Sequence, residues 1–458
     1  MCSYLGGKGD EMKLGEKYNL STAIAMVIGS VIGSGVFFKA ETVARITHGN
    51  GKTGLLAWSV GGLSMMVCLL SFSIIASETK RCDGLQEIGE ITAGEGYSYY
   101  LGWFMATVYY PALTSVLSWL SARYSLLALG TGESSGGLCM LLAGLFLIVS
   151  FAQNSLFPKL SGNVQKITTV IKLIPLILMI ILGIRKGLLS GNLHTNMNPV
   201  YQSATGENTF FASVSAVMFA YEGWIAALSI GRELKNSTRN LPTALVLGGV
   251  SVLLVYIFYY LGIMGAASSE TLLNYGSDGI KIAFSNILGK VSGLLLSFVA
   301  ISCIGALNGM MFSLGRAVYS IAKNGQGPSP GLFSEVNPVS GMPIASFSLG
   351  LVFSVIWLFF LFGTQISEYA LFGDFGFDIS EIPVVTVYGM YIPLFFSFLK
   401  KWGRKISVLK RITVSMGIIA CIFTAVCAIY AHFADITDYT LVFVAIMLAG
   451  TLFKKKAV

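Results

Sequence analysis

Two apolar segments of this chain are each interrupted by residues that disfavour helix. The first is 28–37 (IGSVIGSGVF) and the second is 219–224 (FAYEGW). Inside a bilayer every backbone N–H and C=O needs a partner, so irregular backbone is tolerated only where it is buried in protein or lines a cavity. Two interrupted spans in corresponding halves of a polytopic protein are therefore the best sequence indication of a binding site at mid-membrane depth.

The first interruption has the chemistry of a zwitterion site. Gly33, Ser34 and Gly35 lower helix propensity and let a ligand approach the backbone closely. Unwinding there frees N–H groups at the start of the outer half-helix, which suit a carboxylate, while the freed C=O groups of the inner half suit an ammonium. The alternative is a packing face, because Gly29, Ser30 and Gly33 also fit the small-residue contact pattern of membrane helices.

The second interruption carries an acid. Glu222 is an ionisable residue in an apolar stretch, which by default indicates function. It could accept from an amine, hold a proton or brace the break, or it could only bond freed backbone N–H groups. Phe219 could close over a ligand, or it could be an ordinary packing aromatic.

The composition is that of an integral membrane protein. The 458 residues are 54% hydrophobic and 11% charged, against roughly 25% charged in soluble domains. The net charge of +8 does not indicate nucleic acid, because the basic residues cluster in short loops as orientation signals do. The seven cysteines contain no C-x-x-C pair and the three histidines no metal-ligand spacing, so we predict no metal site, no cofactor and no enzymatic activity.

A helix of about 20 apolar residues crosses the hydrocarbon core. This criterion predicts an all-α membrane protein with twelve spans, at 20–47, 54–78, 97–129, 137–154, 160–184, 209–232, 241–265, 282–323, 343–363, 381–400, 411–433 and 437–453. Of the 30 Lys and Arg residues most lie on the side of the N-terminus, so both termini are predicted to be cytoplasmic. The N-terminal segment 1–17 lacks a cleavable apolar region, so no signal peptide is predicted.

Several motifs resemble one transporter family. FAYEGWIAALSIGRELKN (219–236), followed by RNLPTAL (239–245), resembles the sixth-span signature of the L-type amino acid transporter family, within the amino acid–polyamine–organocation superfamily. Further segments resemble that family in its own order: AMVIGSVIGSGVFF (25–38), TTVIKLIPL (168–176), ISCIGALNGMMFSLGRAVYSIAKNGQGP (301–328) and MPIAS (342–346). The chain resembles prokaryotic members, which implies the cell membrane as its location.

The resemblance implies a five-plus-five inverted repeat of the LeuT type with two added helices. The implied organisation is a cytoplasmic tail (1–19), a first repeat (20–184), an external loop (185–208), a second repeat (209–400), and two last spans with a cytoplasmic tail (401–458). The segment 364–380 is predicted to be another external loop, and 79–96 a cytoplasmic hairpin, interfacial or helical.

The resemblance also implies a site. The amides of Gly33, Ser34 and Gly35 would bind a substrate carboxylate, carbonyls near Ile28 and around the second break would hold the amine, and Phe219 would be the aromatic gate. The predicted substrate-binding residues are Ile28, Gly29, Ser30, Gly33, Ser34, Gly35, Phe219, Ala220, Glu222, Tyr260 and Asn308. The predicted coupling or gating residues are Lys172, Phe219, Glu222, Tyr256 and Tyr259.

Lys172 lies in an apolar stretch, where a lysine is costly unless it is paired or solvated. From the residues alone it could extend along its stem to the interface. The resemblance instead implies that its ammonium donates to carbonyls near Gly29, where sodium-coupled relatives hold a cation. Transport would then be independent of sodium.

We therefore expect an alternating-access exchanger of neutral L-amino acids, with an amino acid and the lipid bilayer as partners. Proton-coupled uptake through Glu222 is one alternative, and transport of cationic amino acids or polyamines is another. A channel or nutrient-sensing receptor on the same fold is least favoured, since no ring of repeated polar residues and no output domain is found. Loop 129–137 lacks the cysteine that joins animal members to a glycoprotein, and Cys139 lies inside the next span, so no disulfide-linked heavy chain is expected.

Overall fold

The computed structural model is built almost entirely of helices. It describes residues 19–33, 35–79, 84–131, 136–198, 209–225, 228, 234–274, 279–366 and 371–454. Ser34 of the predicted site lies outside these ranges, as does most of the sixth-span signature beyond Ile225.

The α-helices are numbered in chain order. They are α1 (Leu20–Val31), α2 (Gly35–Ile46), α3 (Gly51–Thr79), α4 (Leu85–Ala93), α5 (Glu95–Phe104), α6 (Tyr110–Leu129), α7 (Gly137–Leu156), α8 (Pro158–Ile171), α9 (Leu173–Leu178), α10 (Ile184–Ser190), α11 (Asn192–Met197), α12 (Thr209–Ala220), α13 (Ser237–Ala266), α14 (Ser269–Asn274), α15 (Gly279–Leu288), α16 (Ser292–Lys323), α17 (Pro330–Phe333), α18 (Ile344–Leu361), α19 (Ile382–Trp402), α20 (Val408–Ala431) and α21 (Ile436–Leu452).

Nine helices in the described part of the chain are long and apolar enough to cross a membrane, and the bent pair α1–α2 makes a tenth span. Each of the twelve predicted spans overlaps a helix, which is consistent with twelve crossings. The remaining two, α12 and α21, are shorter apolar helices of 12 and 17 residues.

The first predicted break is confirmed. Helix α1 starts after Asn19, whose side-chain oxygen accepts from the Thr22 N–H. It ends at Val31, and Ile32 is extended while its N–H still donates to the Ile28 carbonyl at 2.9 Å. Helix α2 then starts at Gly35 with its axis bent by 45°. Local propensity accounts for this, because the residues between the halves are those that disfavour helix.

Helix α12 ends at the second predicted break. The Tyr221 N–H still bonds to the Val217 carbonyl at 3.1 Å, and the Glu222 N–H bonds to the Phe219 carbonyl at 3.3 Å. Gly223 then has φ +106°, a conformation that costs a residue with a side chain about 1–3 kcal/mol. The chain therefore leaves the helix at Gly223, where only glycine is unstrained.

In the described ranges, three spans contain π-helical turns that the apolar pattern does not reveal. One, Met105–Tyr109, joins α5 to α6 within the third span. The others are Met179–Gly183, between α9 and α10, and Phe362–Ile366, after α18. A π turn rotates the residues that follow it and is frequent at functional sites.

Two predicted boundaries differ from the structure. The predicted span 282–323 is two helices, α15 and α16, separated by a turn at Gly289–Val291 in which Gly289 has φ +58°. The predicted external loop 185–208 begins as helix, because α10 continues to Ser190 and α11 follows Gly191. Hydropathy misses both, since it locates apolar runs rather than the helix ends that backbone geometry sets. In the predicted hairpin 79–96, α4 forms a short helix.

The helices that end at the two breaks pack against several other spans. Helix α12 packs against α2, α3 and α20, and α1 packs against α13. A second group, α6, α7, α8 and α18, surrounds α16. We call the end of the bundle where α2 and α20 end, and where α12 and α19 begin, the far end, because it lies away from residue 19.

Candidate functional site

The two breaks contact each other directly through backbone. A Cβ placed on Gly35 would lie 2.7 Å from the Ala220 Cα, and one placed on Gly223 would lie 2.4 Å from the Ser30 carbonyl oxygen. Neither distance is compatible with a side chain. Two breaks far apart in sequence therefore form one centre, and the glycines are what allow their backbones to meet.

The carbonyls at the end of α1 are held by donors from other spans. The hydroxyl of Tyr256, on α13, donates to the Val31 carbonyl at 2.9 Å. The ammonium of Lys172, which is 3% exposed, donates to the Gly29 carbonyl. The same stretch of α8 packs closely on α1, since a Cβ on Gly29 would lie 3.1 Å from the Thr169 methyl. The last turn of α1 is thus bonded to side chains that come from two other spans.

The start of α2 is a natural anion site. The first N–H groups of an α-helix have no partner within the helix, and the helix dipole favours negative charge there. In α2 these groups belong to Gly35, Val36 and Phe37, directly after the break. Gly33 faces α16, where a Cβ would lie 3.4 Å from the Ala306 methyl, an ordinary contact distance.

Glu222 bonds to a side chain of the third span. Its Oε1 accepts from the Tyr109 hydroxyl at 2.6 Å, and the residue is 5% exposed. Tyr109 is the last residue of the π-helical turn 105–109. Sequence reasoning missed Tyr109, because nothing in the apolar pattern signals the extra residue that turns it toward Glu222.

The aromatic residues predicted for binding and gating lie in two regions, one around the first break and α2 and one at the start of α3. Phe219 is 7% exposed and lies edge-on to Phe38, with ring centroids 6.4 Å apart. Tyr259 lies edge-on to Phe37 at 5.4 Å. Tyr256 reaches the first break, whereas the hydroxyl of Tyr260 lies against Gly54 at the start of α3. Tyr256, predicted to act in coupling or gating, therefore contacts the first break, whereas Tyr260, predicted to bind substrate, contacts α3 instead.

Asn308 contacts α7 and α8 through a polar network. Its Nδ2 donates to the Ser161 hydroxyl at 3.0 Å, and its Oδ1 accepts from Asn154 at 3.0 Å. The α16 residue beside Gly33 is instead Ala306. These contacts tie the helices that surround α16 to one another.

Lys39, a basic residue within the first predicted span, is buried and paired inside the bundle. It lies one turn after Gly35 in α2, is 1% exposed, and donates to Glu381 Oε1 at 2.6 Å and to the Ser380 hydroxyl at 3.0 Å. The sequence contained an indication of this role, because Lys39 lies within the predicted first span, in the segment GVFFKAETV. An ionisable residue within a span indicates function.

Among the described residues, no group of three or more His, Cys, Asp and Glu side chains is arranged to hold a metal ion. Two broken helices that meet at the centre of a bundle of membrane-crossing helices, with helix-terminal backbone groups exposed to each other, define the architecture of a secondary transporter.

The comparisons with known proteins agree with that class. Residues 18–452 match the family model described as amino acid permease. The chain belongs to the amino acid permease family, within the amino acid–polyamine–organocation superfamily, and it is a membrane transporter rather than an enzyme.

Curated relatives include a bacterial exchanger and mammalian transporters. The chain is 29% identical to the serine/threonine exchanger SteT of Bacillus subtilis (strain 168) over 360 residues, which cover 78% of this chain and 80% of SteT. It is 26% identical to the b(0,+)-type amino acid transporter 1 of Mus musculus over 319 residues, 68% of this chain. That match spans 64% of the mouse protein.

A solved structure shares the fold. The crystal structure of MhsT in complex with L-phenylalanine superimposes with a TM-score of 0.62 at 14% identity, covering 91% of this chain and 99% of that chain. The fold is thus of the LeuT type.

Proposed function

We propose that this protein is a sodium-independent exchanger of neutral L-amino acids that works by alternating access in the cell membrane. The single observation that carries the proposal is the contact between the two breaks, together with the Lys172 ammonium on the Gly29 carbonyl. The bacterial relative named a serine/threonine exchanger supports exchange of a small neutral substrate.

The backbone of the two breaks would bind the part that all amino acids share. The N–H groups at the start of α2 would donate to the carboxylate, because they have no partner within the helix and the helix dipole favours negative charge there. Carbonyls near Ile28 and around Phe219 to Glu222, including that of Ala220, would hold the ammonium. Phe219 would cover the bound substrate, and its place beside Phe38 at the break supports that role.

Charge balance at the site favours a neutral side chain on the substrate. Lys39 is paired with Glu381 at 2.6 Å, Lys172 donates to a carbonyl, and Glu222 accepts from Tyr109. A charged substrate side chain would need a partner of opposite charge within the site, and leaving a buried charge unpaired is costly. A neutral side chain has no such cost.

Lys172 would take the place of a coupling cation. A fixed ammonium bonded to the freed carbonyl at Gly29 supplies the positive charge that a sodium ion would otherwise supply at the unwound end of α1. No ion would then be needed to hold the break, and exchange would continue when sodium is removed.

Proton-coupled uptake is a second candidate, and the buried carboxyl of Glu222 favours it. A carboxyl in the second break, bonded to Tyr109, is well placed to exchange a proton as the half-helices move. This candidate predicts net uptake driven by a pH gradient, whereas an exchanger requires substrate on both sides.

The test is release of labelled L-serine from proteoliposomes into buffers with different external amino acids. We expect serine, threonine and other neutral L-amino acids to accelerate release, and arginine, glutamate and decarboxylated amines not to. Equal acceleration by arginine would replace the neutral class by a broader or cationic one. Uptake driven by a pH gradient into liposomes without internal substrate would favour the second candidate.

We further propose that both termini face the cytoplasm and that no heavy chain is joined by a disulfide. The basic residues on the side of the N-terminus support the orientation. The described Cys139 is fully buried in α7, which supports the absence of a disulfide from that position.

A further inference from the structure

A buried ionic cluster joins both broken helices to a third helix at the far end. Glu381, directly before α19, lies between them. Its Oε1 accepts from Lys39 of α2 at 2.6 Å, and its Oε2 accepts from the Ser215 hydroxyl of α12 at 3.0 Å. One carboxylate thus binds the far halves of both interrupted spans.

The loop before α19 holds this carboxylate in place. Oδ1 of Asp378 accepts from the Ser380 N–H at 2.6 Å and from the Glu381 N–H at 2.8 Å. The Ser380 hydroxyl donates to the same oxygen and accepts from Lys39. The backbone at Glu381 is therefore fixed by side-chain bonds, and small shifts of α2 are resisted by a rigid acceptor.

A histidine completes the cluster. Nε2 of His432, in the turn after α20, lies 3.0 Å from Glu381 Oε2, and its side chain is 14% exposed. The side chains of Lys39 and Glu381 are 2% and 6% exposed. His432 is thus more accessible to solvent than Lys39 or Glu381, and it can gain or lose a proton while the lysine and that carboxylate stay covered.

Within the set Lys39, His432, Glu381 and Asp378 the charges are balanced when His432 is protonated, two cations against two carboxylates. The acids next along the chain are Asp435, which donates its N–H to the His432 carbonyl at 3.0 Å, and Asp438 in the first turn of α21. Helix α12, which packs against α20, has the sequence TFFASVSAVMFA and so brings no titratable side chain to the cluster. Helix α3, also packed on α20, brings Cys68 against Cys421, about three turns from His432.

The cluster is adjacent to the substrate site. Lys39 follows Gly35 by one turn of α2, so it moves with the N–H groups proposed to hold the carboxylate. Its ammonium lies 5.0 Å from the ring centroid of Phe38 and 5.3 Å from that of Phe219. A movement of α2 that separates Lys39 from Glu381 would therefore also move the start of α2 relative to the proposed aromatic gate.

We propose that Glu381 is a positioning residue for transport, which holds the far halves of both broken helices closed over the substrate site through Lys39 and Ser215, and that protonation of His432 strengthens this hold. The side of the membrane from which pH acts rests on the proposed function, in which both termini are cytoplasmic and the far end therefore faces the outside of the cell. External acid would then favour the closed arrangement and external alkali its release.

The electrostatics of His432 support the sign of this dependence. Burial alone would lower its pKa, but the hydrogen bond and charge of Glu381, with the charge of Asp378, outweigh burial and the opposing charge of Lys39 and raise the pKa above its ordinary value. A raised pKa means that His432 binds a proton more tightly in this cluster than a histidine outside it does. The stabilisation that protonated His432 provides is fully present at pH values below the ordinary histidine pKa. It is lost as the pH rises through the raised pKa of His432.

The first test measures thermal unfolding of the full-length protein in nanodiscs between about pH 5.5 and 8.5, the range in which histidine titrates. We expect the wild-type melting temperature to fall as pH rises, by about 1–3 °C, and His432→Gln to remove that slope. The matched control is His194→Gln, because His194 is an exposed histidine and should leave the slope intact. A slope that survives in His432→Gln overturns the role of His432.

The second test uses exchange kinetics. Releasing the far end should favour the open arrangement, so Glu381→Gln should lower the external half-saturation concentration while reducing turnover at least several-fold. The charge exchange Lys39→Glu with Glu381→Lys should recover part of the turnover that each single change loses. Unchanged kinetics in Glu381→Gln overturn the positioning role, and so does a swap no better than the singles.

The two tests separate this inference from the proposed function. If wild-type protein exchanges no amino acid, the proposed function fails, and the unfolding experiment still decides whether His432 stabilises the closed cluster.

Discussion

At the scale of single residues, the site depends on positions where a side chain does not fit. Gly35 and Gly223 lie where two backbones meet, and their neighbours are main-chain atoms rather than flexible side chains. The sequence predicted the importance of Gly33 and Gly35 from propensity alone. It could not distinguish them, because the contact of Gly35 with Ala220 joins residues far apart in the chain.

That difference gives a matched pair of substitutions. Gly35→Ala places a methyl group 2.7 Å from the Ala220 backbone, whereas Gly33→Ala places one at an ordinary 3.4 Å from the Ala306 methyl. Overpacking of this kind costs about 1–3 kcal/mol, so Gly35→Ala should reduce substrate affinity by roughly 10- to 100-fold. Gly33→Ala should stay within a few-fold of wild type.

Binding of labelled serine to the two purified variants measures this difference. Equal affinity in both would place the carboxylate site away from the start of α2.

Glu222 and Tyr109 should behave as one unit. Tyr109→Phe removes the donor of the 2.6 Å hydrogen bond, and Glu222→Gln keeps an acceptor but removes its charge. A broken buried bond to a charged group costs about 1.5–3 kcal/mol. We expect each change to alter the external-pH dependence of exchange or the discrimination between serine and arginine, and the double variant to be no worse than the singles.

The same release assay checks this expectation, with Tyr110→Phe, the next hydroxyl along the chain, as the control. Additive losses in the double variant would show that the two residues act separately, and unchanged pH dependence and specificity would leave Glu222 a structural brace.

At the scale of helices, the predicted breaks are present because strong local preferences caused them. Gly–Ser–Gly in the first span and Gly223 after α12 disfavour helix wherever they lie. The π turn at Met105–Tyr109, the turn at Gly289 and the burial of Lys39 could not be predicted in this way. These features arise from packing between spans. A charged residue in an apolar run looks the same in the sequence whether its side chain reaches a loop or a buried partner.

Lys172 shows how two helices are joined across the bundle. Lys172 directly follows α8, and its ammonium donates to the Gly29 carbonyl of α1. Lys172→Ala should therefore leave that carbonyl without this donor. We expect exchange to fall at least 10-fold, since an unsatisfied buried polar group costs about 1–3 kcal/mol. Lys290→Ala removes an exposed lysine and should retain wild-type exchange. Wild-type exchange by Lys172→Ala would instead support a lysine that only reaches the interface.

At the scale of the whole molecule, hydropathy and motif order predicted the all-helical membrane fold and its LeuT type, which the structural neighbour MhsT shares. These features depend on long apolar runs and on residue order, which the sequence contains directly. The ionic cluster at the far end was not predicted. Its members, Lys39, Ser215, Glu381 and His432, come from four distant segments, and only the folded bundle brings them together.

The central claim is sodium-independent exchange through the paired breaks. The most direct measurement is release of labelled L-serine from proteoliposomes in buffer in which choline replaces sodium, with and without external unlabelled serine. We predict that external serine accelerates release at least 10-fold and that the acceleration is the same in choline as in sodium. Acceleration that disappears in choline, or release that is equally fast without external substrate, would contradict the account.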